Sequence, residues 1–177
     1  MNSEELKDLL SETMNAWSKL STPSCVITYS GVDEIEVCNA LRDRAPFEVR
    51  FDEYPFELLS IYTTLNQCGM VYYTGGIVYQ AIMMAINAPY NLDAFFAFIT
   101  LKEVMLLDSR SSLAFVQELF LHPDCVDVLC KFSKLLFSAQ ANDANDSRAL
   151  EVARLWRTPE AIRNAVNAQR GKAGQAT

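Results

Sequence analysis

The stretch GMVYYTGGIVYQAIMMAINAPYNLDAFFAFITL, Gly69 to Leu101, contains a single charged residue, Asp93. The uncharged run that leads to it is 35 residues long, from Leu58 to Leu92. Such a run is a membrane span, a glycine turn cradling a ligand, or the centre of a protein core. A span needs about 20 consecutive apolar residues, and residues 70–88 nearly supply them. The same segment holds Thr74, Gln80 and Asn87, contains no leucine, and has no basic residue between Arg50 and Lys102 to orient it in a bilayer. Gly75-Gly76 is expected to end one element and free the chain for the next, leaving pieces too short to cross. Thr74-Gly75-Gly76 lacks the spacing of a dinucleotide fingerprint and the lysine of a phosphate loop. The run reads as core.

Around it the periodicity is mostly helical. The opening residues, MNSEELKDLLSETMNAWSKL, lack the continuous apolar region of a secretory signal and form an amphipathic pattern. Leu6, Leu9, Leu10, Met14, Trp17 and Leu20 make its stripe, with Ser3 as cap and Glu4 and Glu5 at the positive end of the helix dipole. FELLSIYTTLNQ, IVYQAIMMAIN (77–87), a segment from Leu92 to Leu107 capped by Asn91, SLAFVQELFL and VDVLCKFSKLLFSAQ follow at helical spacing. Pro123 separates the last two, with Asp124 placed to cap the second. The β-like part is residues 25–51. CVITYS and the alternating FEVRF flank a short helical pattern from Asp33 to Arg42. The expected fold is therefore mainly α (α+β), a compact multi-helix array with a small N-terminal strand–helix–strand element. The alternative makes MVYYT, AFFAFIT and EVMLLD buried strands of a three-layer α/β sheet.

Charge divides the chain. The net charge is -7, but residues 1–146 carry 9 basic and 20 acidic side chains, against 6 and 2 in residues 147–177. The polar linker NDANDS marks the change. We expect an acidic globular domain over 1–146 and a basic helical C-terminal arm over 147–177 with a disordered end, RGKAGQAT. Thr158-Pro159 is a helix start, because proline lacks the amide hydrogen that goes unpaired there.

Residue types exclude much chemistry. His122 is the only histidine, so histidine-based metal sites and Ser–His or Cys–His nucleophile sets have almost no material. Five cysteines, Cys25, Cys38, Cys68, Cys125 and Cys130, form no CxxC pair and sit mostly in apolar runs, which suits a reducing, cytoplasmic setting. The carboxylates Glu48, Asp52, Glu53 and Glu57 read as a solvated face. No enzyme activity, cofactor or metal is expected.

What remains is surface contact. The sequence predicts a non-enzymatic protein–protein interaction or assembly protein (an adaptor, inhibitor or structural subunit) that meets a protein partner or a second copy of itself. Arg154, Arg157, Arg163, Arg170 and Lys172 are its expected binding residues. Aromatics such as Phe47, Phe51, Tyr54, Phe56, Tyr72 and Tyr73 are its expected anchors. The alternative is a nucleic-acid-associated packaging or coat protein using the same basic residues on phosphates.

Overall fold

The computed structural model describes residues 3–23, 41, 44–49, 65–87, 99, 101–138 and 146–173. Over these the protein is mainly helical. In chain order the elements are α1 (Ser3–Trp17), a 3-10 turn (Pro46–Glu48), α2 (Gln67–Asn87), α3 (Arg110–Leu119), α4 (Pro123–Phe132), α5 (Ser147–Leu155) and α6 (Pro159–Ala173). Residues 101–105 are also helical, and α4 runs on through a π turn at Ser133–Phe137. Helix α2 is the hub, packed against α1, the 3-10 turn and α3. Helix α4 joins α1 to the C-terminal pair, α5 and α6.

The paired glycines do not break the uncharged run. Gly75 and Gly76 lie inside the 21-residue α2, and both are buried. Their function is close approach. A Cβ at Gly75 would meet the Trp17 ring at 2.3 Å, and one at Gly76 would meet the Pro46 carbonyl oxygen at 1.7 Å. The Trp17 ring fills the space where Gly75 has no side chain, and its Nε1–H donates to the Val71 carbonyl oxygen at 2.8 Å. The helix-breaking reading failed because a glycine's cost of roughly 1 kcal/mol in a helix is offset by burying an indole against bare backbone. Among the described residues α2 is the one helix long and apolar enough to cross a membrane, and 67% of its most apolar window is buried within the fold.

The β expectations fail where they can be compared. MVYYT lies inside α2, and residues 103–105 of EVMLLD are helical before a turn at 106. Phe47 and Glu48 of the expected strand FEVRF belong to the 3-10 turn, which Pro46 opens by occupying its first position. Val49 is extended at the turn's end, and its carbonyl oxygen accepts from Gln80 Nε2 of α2. CVITYS, most of residues 33–42, FELLSIYTT, Asn91 with its capped segment to residue 98, and Asp52, Glu53, Glu57 and Asp93 lie outside the described residues.

Helix α1 is rolled relative to its apolar stripe. Leu6, Leu9, Ala16 and Trp17 are buried as expected of a docked helix, but Thr13 is buried with them and Met14 is 45% exposed. Thr13 tolerates burial because its hydroxyl donates to the Leu9 carbonyl oxygen at 2.7 Å. At the next boundary α4 starts at Pro123, two residues earlier than a cap at Asp124 implies. His122 is the N-cap, and Asp124 lies in the first turn instead of capping it. In the π turn, Phe132 and Phe137 meet edge-on at 5.6 Å, a five-residue pairing that the wider turn brings onto one face.

The C-terminal helices share this core. Ala149, Val152, Trp156 and Ile162 are fully buried. Trp156 Nε1–H donates at 2.7 Å to the carbonyl oxygen of Met105, in the last turn of the 101–105 helix, where carbonyls lack helical partners. Two residues beyond that helix, Leu107 is buried at φ 60, a conformation that non-glycine residues adopt at a cost of roughly 1–3 kcal/mol. Asp146 caps α5, accepting from the Arg148 and Ala149 amides at 3.0 and 3.1 Å, and pairs with Lys102 at 2.6 Å. Thr158 caps α6 through the Ala161 amide at 3.2 Å, with Pro159 at the first helical position.

Three outcomes are expected. Gly76→Ala gains helix propensity but must displace the Pro46 backbone, so a net loss on the order of 1–3 kcal/mol is predicted in urea unfolding. Gly171→Ala, with nothing within 4 Å of the added carbon, gains up to about 1 kcal/mol. The Lys102 hydrogen bond, helped by the Ala149 and Arg148 amides and opposed by burial, holds the Asp146 carboxyl below its ordinary 3.8. A depressed pKa stabilises the fold fully above the unfolded value and loses that contribution as pH falls through the folded one. Asp146→Asn keeps the cap and removes the charge. It should cost on the order of 1 kcal/mol at pH 7 and flatten the acid limb below about pH 4, read from urea midpoints across pH.

Candidate functional site

The expected binding residues lie on the last two helices. Arg154 stands in the last turn of α5, Arg157 in the turn that follows, and Arg163 and Arg170 on α6, all exposed. Lys172 falls in the final turn of α6, and its side chain is outside the described residues. Ile162 and Val166 set the inward stripe of α6, so Arg163 and Arg170, seven residues and roughly 10 Å apart along the axis, share one flank. Arg163 is held in place, its guanidinium 4.8 Å from the centre of the Phe120 ring. Next to Phe120, Leu121 is 68% exposed.

Ion pairing separates these arginines from the other basic residue of α5. Arg148 is bound to the acidic body, 3.0 Å from Glu103 and 3.5 Å from Asp108. Lys19 pairs with Asp124 and Lys131 with Glu12, each at 2.6 Å. Among the described residues no carboxylate is in ion-pair distance of Arg154, Arg157, Arg163 or Arg170. Lys7, Lys134 and Arg110 share that condition but are scattered over three other elements. The aromatic anchors among the described residues do not reach this surface. Tyr72 and Tyr73 are buried edge-to-face in α2, and Phe47 packs on Tyr79. Phe51, Tyr54 and Phe56 lie outside the described residues.

A second locus brings together residues distant in sequence. A half-open cavity of about 510 Å³ lies between the exit of α1, the start of α2 and the end of α3. Its polar wall includes Lys19, Thr22, Cys68, Glu118 and His122. Asn66 opens α2, its side-chain oxygen accepting from the Gly69 amide at 2.8 Å. The Cys68 thiol donates to Glu118 Oε1 at 3.4 Å, and the Thr22 and Tyr72 hydroxyls meet at 3.1 Å. Of these, His122 stands out in the sequence as the lone histidine and Cys68 as one of five cysteines, and nothing local tied either to Glu118.

The electrostatics here oppose nucleophilic catalysis. Desolvation pushes the Cys68 thiol up, and the Glu118 hydrogen bond and charge push it further. A thiol held protonated is a poor nucleophile. Burial, with Asp124 or Asp127 nearby, lifts Cys125 to about 12 and Cys130 to about 11. Among the described residues no group of three or more His, Cys, Asp or Glu converges as a metal site.

Alkylation with iodoacetamide at pH 8, read by mass spectrometry, should modify Cys68 well before Cys125 and Cys130. Glu118→Gln removes the charge that disfavours the thiolate, so Cys68 should react several-fold faster in that variant. Comparison with family models, characterised proteins and solved structures returns no match.

Proposed function

We propose that this chain is a non-enzymatic interaction protein that docks an acidic protein surface on its C-terminal helices. The observation behind this reading is the set of four arginines, Arg154, Arg157, Arg163 and Arg170, presented from one continuous stretch without a carboxylate partner among the described residues. Arg163 supports it further, because stacking on Phe120 pre-positions a guanidinium beside the exposed Leu121. An apolar side chain beside one fixed cation suits a partner with an acidic rim and a hydrophobic tip.

Removing residues 147–177 is a poor test, since it also strips Val152, Trp156 and Ile162 from the core. Charge reversal of the four arginines to glutamate leaves that core intact. Each exposed ion pair contributes about 0.2–1 kcal/mol, so losing four should weaken partner capture by about fourfold to several hundredfold. Leu121→Ala should weaken it separately. Capture is read by affinity purification with and without nuclease, with thermal melts confirming the fold. A partner retained at full strength by the reversed variant overturns the proposal. Recovery of nucleic acid alone, lost on reversal and steeply salt-dependent, selects phosphate binding instead.

A further inference from the structure

We infer that the cavity between α1, α2 and α3 binds a small organic cation, an ammonium-bearing molecule of polyamine or choline size, with Glu118 as its counter-charge. The site is independent of the arginine surface. Its volume of about 510 Å³ falls within the range of ligand pockets, roughly 300–1,000 Å³. The sign of the ligand follows from how the wall groups are engaged. Lys19 is committed to Asp124 at 2.6 Å. Glu118 has no lysine or arginine partner among the described residues. Its hydrogen bond from Cys68 comes from a weak donor and occupies one of about four acceptor positions on a carboxylate.

An anion finds no equivalent welcome. The helix terminus at the cavity is already occupied in part, because the Asn66 side-chain oxygen accepts from the Gly69 amide at 2.8 Å. A carboxylate beside that terminus repels negative charge. Residues 1–146, with 9 basic and 20 acidic side chains, add a long-range field that concentrates cations. Leu20, Pro23 and Val71 supply an apolar wall for methylene or methyl groups, and the Thr22–Tyr72 hydroxyl pair supplies neutral hydrogen-bonding capacity.

The test is calorimetric titration of the full chain with spermidine and with choline, and with inorganic phosphate as the anionic control. At least one cation should bind saturably and phosphate should not. Glu118→Gln should weaken that binding at least tenfold, whereas Glu5→Gln on the exposed face of α1 should leave it unchanged. A second measurement needs no variant: the bound cation should slow iodoacetamide alkylation of Cys68 several-fold in the unmodified protein. Failure of both cations to saturate overturns the inference. So does equal binding by the Glu118→Gln variant, which would make the attraction a property of general surface acidity.

Discussion

The contact of Trp17 and Pro46 with the glycine pair of α2 is the constraint on which the rest of this architecture depends. Two elements, one from the start of the chain and one from its first third, lie against the same turn of one helix. Neither could approach so closely over a residue with a Cβ. The indole N–H shares the Val71 carbonyl, so its polar atom is satisfied inside the core. With α1 seated this way, its far face meets α4, and α4 carries the π turn against which α5 packs. The approach distance at Gly75 and Gly76 therefore propagates through α4 to α5.

A second tryptophan does the corresponding work at the other end. Trp156 closes on the last turn of the 101–105 helix, while Asp146 joins the start of α5 to Lys102. The basic C-terminal segment is thus divided by its environment. Arg148 faces Glu103 and Asp108 and is neutralised within the protein, whereas the arginines from position 154 onward face water. A net charge read along a chain cannot make that division, because ion pairing depends on which helix lies across from which.

The two candidate sites differ in legibility for a related reason. The arginines are close in sequence, and a local excess of charge is visible in any linear count. The cavity is assembled from the exit of α1, the first turn of α2 and the end of α3, about 100 positions apart, and its members are ordinary residues in isolation. Glu118 and Cys68 become a chemical pair only when α2 and α3 are packed together. Tyr72 and Tyr73 mislead in the opposite direction. They read as surface anchors, yet they are interior residues whose hydroxyls reach Thr22 and the Leu41 carbonyl.

Local signals by themselves determined the helical character of the described chain, the amphipathic α1, the capped start of α6 at Thr158-Pro159 and the helix boundary at Pro123. Each rests on interactions within a few residues: periodicity, a missing amide hydrogen, a side-chain oxygen near its own backbone. Tertiary structure decided whether Gly75-Gly76 is a break or a packing surface, which face of α1 turns inward, whether Phe47 and Glu48 are strand or 3-10 turn, and which C-terminal arginines meet a carboxylate among the described residues. Those outcomes depend on what occupies the space beside a residue. A glycine in sequence is permission for either a turn or a close contact, and only the arrival of Trp17 and Pro46 selects between them.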